Sequence, residues 1–520
     1  MIGCLGVVGV LSSVALAVPL PELDVEKLRG EFGDLRKGLD LKGLGDLSGG
    51  LKVGEFGFDK LNLFDKKDKK KDPCDFTLPI PKEAECPPWP LTGCTNVFTG
   101  TFSTVGETVD DENPGSVSAN GCNLSPLDGV CKIEGELVIT DCRFTNLKEL
   151  QSLREVTGGI RIEKLWSLES LNDLSALVTV GGQMIIREVP LVKEVAAPAL
   201  CNLETVEGNL ELGGTGIEFW PLELIHLPAL KTVTGDFRAD DFSKEMKAIL
   251  LPVLETLGGN TEINENSGLE LFYAPELRLI EGPTIFGDGI TENCDLKVIF
   301  MPKLETALDL VITENKQLAC IDLSSLKNAT SEVEIRDQPE LQELRIGSLE
   351  TTGDSLDISD LGLTELNLPK LTTVGTNGRG NLELGGSFGL KTISAPLLTT
   401  VNGNLELDLL SSLETLNLDS LTLTNGNLII TFTQLTDLDT FSNLQGMIDT
   451  NTDRQLTIRQ NAKMTSAEGL AGAVAVPVFS DGFICDNPLL ADLPVSFGGL
   501  NEDPVVCDAS EPPCDCSFTL

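Results

Sequence analysis

Histidine and tyrosine are almost absent: 520 residues hold one of each. The histidine, His226, lies in Leu224-Ile-His-Leu227, an apolar setting that suits a satisfied structural imidazole. Little remains for a nucleophile–base relay or a histidine general acid. No glycine-rich phosphate loop or dinucleotide fingerprint stands out. Positive charge is also short. Lys and Arg number 38 against 80 Asp and Glu, a formal net charge of −42. Such a surface repels nucleic acid and anionic membrane, so neither is expected as a partner. Residues 21–75 are close to charge balance, which concentrates the acid downstream. Aromatics make up only 5%, so a core must be aliphatic. Beyond residue 17 no stretch approaches the ~18 apolar residues of a membrane span. The end, Cys514–Leu520, shows no hydrophobic tail of a lipid-anchor signal.

What is abundant is a repeat. Leu203–Leu212 reads LETVEGNLEL, Leu398–Leu407 reads LTTVNGNLEL, and Leu153–Ile162 reads LREVTGGIRI. Each is Leu-x-x-Val, a Gly, then an apolar/x/apolar triplet. The triplet has the period of a strand with one buried face, and the Gly permits a sharp bend before it. Triplets begin at Leu137, Ile160, Met184, Leu210, Phe237, Thr261, Thr284, Leu310, Val333, Leu356, Leu382, Leu405, Leu428 and Leu456, in steps of 23 to 28 residues. Two positions on from each, every residue is apolar, from Ile139 to Ile458. A unit repeated at that spacing marks a solenoid. Further apolar pairs before and after the triplet, such as Leu203/Val206 and Leu413/Leu416, give three buried segments per coil and a three-sided section. Pro198, Pro228, Pro252, Pro275, Pro302, Pro369 and Pro396 recur just before the Leu-x-x-Val segment. They mark a corner where no ladder N–H is needed. The expected fold is all-β, a right-handed parallel β-helix of about fourteen coils with disulfide-stapled caps.

The flanks differ. Residues 1–17 are apolar, lack acid and end in Ala15-Leu16-Ala17, which reads as a secretory signal peptide. Residues 18–72 read as a charged flexible linker, with the basic cluster Lys66–Lys71 solvated. Residues 73–130 read as a cysteine-rich N-terminal cap, 131–480 as the solenoid, and 481–520 as a C-terminal cap and tail. Cys74, Cys86, Cys94, Cys122, Cys131 and Cys142 suit disulfides in a secreted chain; their spacing and the lack of nearby histidine argue against zinc. Cys294 and Cys320 stand equally far beyond their triplets and are expected to bridge adjacent coils. Cys485–Cys507 is the expected pair of the C-terminal cap. Cys201 has no such register mate and is expected as a buried, inert thiol. Asn123-Leu-Ser and Asn328-Ala-Thr are glycosylation acceptors, Asn328 falling with Thr205, Thr232 and Thr256 at an expected outer corner.

Between the two stacked inward rows lies one outward residue per coil. Glu211, Arg238 and Glu262 alternate in sign there, which favours neighbouring pairs. Glu334, Asp357, Glu383 and Glu406 do not alternate and form a column of carboxylates. Such a column is a solvated acidic face or a site for Ca²⁺ or a basic partner. Otherwise no cofactor is expected. Ile285 and Val311 add a small apolar pair on the same face.

Pro-x-Leu-x-x-Val-x-Gly-x-Leu-x-Ile, followed by an Asn or polar turn and another Leu-x-x-Leu, resembles the receptor L-domain repeat of growth-factor receptor ectodomains. It also resembles fungal cell-wall proteins of the sporulation-specific and cell-wall-organisation type. The resemblance covers roughly residues 120–485 and is diffuse. It implies a β-helix used for binding or for wall and matrix architecture, without catalysis. The implied partner is a wall or matrix polysaccharide, or an extracellular protein. The rival is a polysaccharide-cleaving β-helix. Asp240-Asp241 and Asn451-Thr-Asp453 resemble fragments of a polygalacturonase signature, but they stand far apart and in reverse order, and no Gly-His-Gly is present. Glycosidases need two carboxylates across one bond, which many intervening coils would prevent here. The sequence therefore points to a secreted, non-catalytic binding or structural protein.

Overall fold

The structure, a computed structural model, describes residues 73–74, 94–104, 121–213, 220–286, 293–445, 455–474, 481–491 and 517–519. The chain divides into two compact units, Met1–Leu61 and Asn62–Leu520, and all described residues belong to the second. The expected signal peptide and linker lie outside the described residues. Among the described residues, no helix is long and apolar enough to cross a membrane.

The repeat builds a parallel β-solenoid. Its Leu-x-x-Val segments form a 14-stranded parallel sheet that runs from Val97–Thr99 to Leu423–Thr424. The triplets form a second parallel ladder in the predicted register: Leu210 lies opposite Met184 and Phe237, and Leu405 opposite Leu382 and Leu428. A third, 7-stranded sheet runs from Glu194–Val195 to Glu343–Arg345. A 3-stranded sheet at Glu365–Asn367, Thr392–Ser394 and Thr415–Asn417 carries the third segment of later coils. The inward rows of the first three sheets, for example Val206, Leu212 and Ile225, are fully buried in one aliphatic core. Stacking identical positions about one strand spacing (~4.8 Å) apart lets each aliphatic residue bury its neighbour.

Each corner has its own chemistry. Between the first and second sheets the glycines are required by close approach more than by a bend. A Cβ on Gly235 or Gly426 would collide with the backbone of the preceding coil, although neither has a positive φ. Between the second and third sides, one residue in each coil whose corner is described is left-handed: Asp141, Lys164, Glu188, Asp241, Glu265, Glu314, Asp337, Asp360, Gly386, Leu409, Phe432, Gln460 and Asp486. Between the third and first sheets the recurrent prolines occupy turns, as the sequence implies.

Polar ladders run beside the aliphatic one. Asn266 and Asn293 are buried, and each donates its Nδ2 to a carbonyl of an earlier coil, Ala239 at 2.8 Å and Ile263 at 2.6 Å. Asn461 and Asn487 do the same toward Ile430 and Ile458. A second ladder, near the glycine corner, uses Asn209, Asp236, Asn381 and Asn404. Each accepts the backbone N–H of the next coil at 2.8 to 2.9 Å.

The ladders reach into both regions expected as caps. Val97–Thr99 pairs with Lys132–Glu134, and Phe102–Ser103 with Leu137–Thr140, so the ladder begins inside the region expected as a cap. Cys94–Cys131 and Cys122–Cys142 staple that first coil. At the far end Asp481–Cys485 extends the second ladder, and Ser517–Thr519 closes it antiparallel. Cys507 lies outside the described residues, so the Cys485–Cys507 pair does too.

The Cys294–Cys320 expectation is corrected. Cys320 is bonded to Cys74, and Cys294 takes part in a different disulfide. The residue opposite Cys320 is Val298, because the turn between Phe286 and Val298 is longer than that between Ile312 and Cys320. Cys201 is a buried thiol, as expected.

The outward face of the third sheet is itself buried. Leu224, Ala248, Leu271, Val298 and Cys320 alternate with the core residues Ile225, Ile249, Phe272, Ile299 and Ile321, so they point away from the core. All five are nevertheless solvent-excluded, and the Cys74–Cys320 bridge lies on this face.

Candidate binding surface

The outward column of the second sheet is continuous. Arg238 pairs with Glu262 at 3.3 Å and with Asp236 at 3.4 Å, and Arg187 pairs with Glu211. Further along, Glu334, Asp357, Glu383 and Glu406 are directly opposite one another on successive coils. They do not converge, because each is held by a residue of its own coil two positions away. Arg336 Nε lies 2.7 Å from Glu334. Ser359 Oγ donates to Asp357 at 2.6 Å. Asn381 and Asn404 Nδ2 donate to Glu383 and Glu406, each at 2.9 Å. Burial, with Glu383 and Glu334 alongside, pushes Asp357 up to about 6. Burial also raises Glu406, helped by Glu383 and Asp408. Among the described residues no group of three or more His, Cys, Asp or Glu side chains is placed to hold a metal ion. The column therefore offers no preformed cation cage among the described residues. Side chains held on separate coils stand beside one another instead of enclosing a cation, which needs several oxygens at 2.3–2.6 Å.

The first sheet carries a second outward column, which the sequence reading did not separate. Its middle coils alternate in charge: Lys231 meets Glu204 at 2.8 Å, and Glu305 is held between Arg278 at 3.3 Å and Lys327 at 2.8 Å. Its later coils carry only hydroxyls. Thr372, Thr399 and Thr422 each donate to the carbonyl of the coil before, at 3.0 to 3.1 Å.

Asn328 stands in a strand of the first sheet, opposite Thr306 and Thr351, and not at a corner. It is half-buried, and Thr351 Oγ1 donates to its Oδ1 at 2.9 Å. Asn123 is exposed, and its Oδ1 accepts from Ser125 N at 3.0 Å. Val311 lies opposite Ile285 in the second sheet. His226 is in the third sheet, where burial lowers its pKa. Asp240 is on the second sheet, raised chiefly by burial, and Asp241 is a left-handed corner residue. Asn451 and Asp453 lie outside the described residues, so the enzyme signature does not assemble among the described ones.

A solenoid whose outer columns are paired charges, spaced carboxylates and hydroxyls is of the kind that presents long faces for binding. No family model matches the chain. It is 22% identical over 222 residues to Cell wall protein ecm33 of Schizosaccharomyces pombe, an alignment covering 40% of this chain and 50% of that protein. The chain thus spans about half the length of this curated relative. Among solved structures, a TLR13–ssRNA13 complex is similar at 12% identity and a TM-score of 0.14, over 70% of this chain and 82% of that one.

Proposed function

We propose that the chain is a non-catalytic component of a cell wall that binds wall polysaccharide through its solenoid faces. The observation that carries this reading is the 222-residue likeness to a cell wall protein. Three features support it. The disulfides suit an oxidising exterior. The side faces offer columns of hydroxyls and amides. The one histidine, drawn toward neutrality by burial, offers no general acid at neutral pH.

The test is sedimentation of the secreted chain with insoluble β-glucan, chitin and mannan, with and without Ca²⁺, while soluble sugar is measured. Co-sedimentation without sugar release, unchanged by Ca²⁺, is expected. Released sugar would overturn the non-catalytic reading. Absence of retention on every polysaccharide would move the assignment to a protein ligand.

A further inference from the structure

The left-handed corner places polar residues or glycine in almost every coil, as its geometry demands. A bulky side chain at positive φ is strained and persists only where something maintains it. Two adjacent coils break the pattern: Leu409 has φ 54° and Phe432 φ 52°. Both are 40% exposed, so core packing does not repay the strain. The pairing of Leu407 with Ile430 brings the two residues level on successive coils. Their backbones are fixed there: Thr431 is hydrogen-bonded to Asp408, and Phe432 N donates to Arg459 O at 3.1 Å. On the preceding coil the level position is Gly386, which has no side chain, and two residues beyond it Phe388 is 63% exposed.

We infer that Phe388, Leu409 and Phe432 form a stacking subsite for a neutral polysaccharide strand lying along this edge of the solenoid. The inference rests on the polysaccharide-binding reading above and locates it. The size of the patch argues for a sugar chain. A stable protein interface buries about 800 Å² on each partner, more than three side chains on adjoining coils supply. The apolar faces of sugar rings suit contact with a phenyl ring or a leucine. Their hydroxyls suit the polar rim of Asp360, Asp408, Gln460 and Asp486, which occupy the same edge. That rim also disfavours an acidic polymer in a chain of net charge −42. The same edge carries exposed Trp166 and Leu191 in turns of two early coils. An extended ligand parallel to the coil stack, and not a compact one, would reach such spaced contacts.

The experiment compares the full chain with the double variant Leu409→Asn/Phe432→Asn and with Phe388→Ser, using sedimentation with insoluble β-glucan, chitin and mannan and thermal unfolding. Asn adopts the left-handed backbone readily, so the double variant is expected to melt at or above the wild-type temperature. Its affinity for the retained polysaccharide is expected to fall about tenfold, equivalent to ~1.4 kcal/mol. Phe388→Ser is expected to weaken binding in the same direction with its melting unchanged. Wild-type retention with undiminished binding by the variants overturns the subsite and leaves the polysaccharide reading standing. A double variant that melts lower overturns the strain argument and gives the two residues a structural role. Absence of retention by the wild type overturns both readings.

Discussion

Asn461 shows what one side chain does in a coil that cannot hydrogen-bond to itself. It is fully buried, its side chain satisfies two backbone groups of the preceding coil, and its own N–H is satisfied by a side chain of the next. Its Nδ2 donates to Ile430 O at 3.0 Å, its Oδ1 accepts from Thr433 N at 3.0 Å, and its own N–H meets Asn487 Oδ1 at 2.9 Å. A corner must turn the chain away from the ladder, which orphans those groups, and an amide offering both donor and acceptor restores them. Asn461→Ala would leave Thr433 N and Oγ1 buried without their acceptor and would remove a second donor from Ile430 O, at roughly 1–3 kcal/mol for each group left unpaired. The expected result is a loss of about 2–5 kcal/mol in denaturant unfolding, with Asn461→Asp also destabilised because it lacks the donor. A loss below 1 kcal/mol would mean that water reaches the corner. The asparagines are visible in the sequence as polar residues after some of the triplets. Their inward direction is not, because it follows from the left-handed residue before them, which is Glu265, Gln460 or Asp486 in these coils and carries no mark of that backbone in its side chain.

A column of like residues acts as an element in its own right. Register in a parallel stack is set by the inward apolar row, since slipping by one residue would turn that row outward. For this reason the neighbours Glu334, Asp357, Glu383 and Glu406 were legible before any coordinates. Their chemistry was not, because the flanking Arg336, Ser359, Asn381 and Asn404, two residues away on the same strands or just before them, each hold one carboxylate. The Cys294–Cys320 expectation failed for the converse reason: it counted along a turn, where length varies, and not along a strand. The column has a pH signature. Asp357 is raised from 3.8 to about 6 in the folded chain, so the folded state holds its proton more tightly than the unfolded state. Its ionisation therefore costs stability as pH rises from 3.8 through about 6, and that cost is absent below this window. Asp357→Asn is expected to raise the melting temperature at pH 7.5 and to leave it nearly unchanged at pH 3.5. Equal shifts at the two pH values would show that packing, and not charge, sets the effect.

At the scale of the whole solenoid, two sides face outward with polar columns while the third has a dry outer face. Leu224, Ala248, Leu271 and Val298 stack there on four successive coils, and none is open to solvent. A bare apolar stripe of that length would be an aggregation site. The described residue that reaches this face from before the first coil is Cys74, bonded to Cys320 at a sequence separation of 246. Closing so long a loop restricts the unfolded chain strongly, and loss of a native disulfide commonly costs about 2–5 kcal/mol. The bridge also holds Cys74 beside the apolar stripe as a covalent neighbour, where apolar contact alone would have to oppose chain entropy. The double variant Cys74→Ser/Cys320→Ser is therefore expected to keep the far-ultraviolet signature of a β-solenoid, because the ladders run through separate strands. It is expected to melt lower and to bind an apolar fluorescent dye in the native baseline. Removing the Cys122–Cys142 bridge, which staples the first coil, is expected to lower stability without that dye signal. Should the Cys74/Cys320 variant stay as dye-silent as the wild type, the stripe is covered by packing that does not depend on the bridge, and the disulfide serves stability alone.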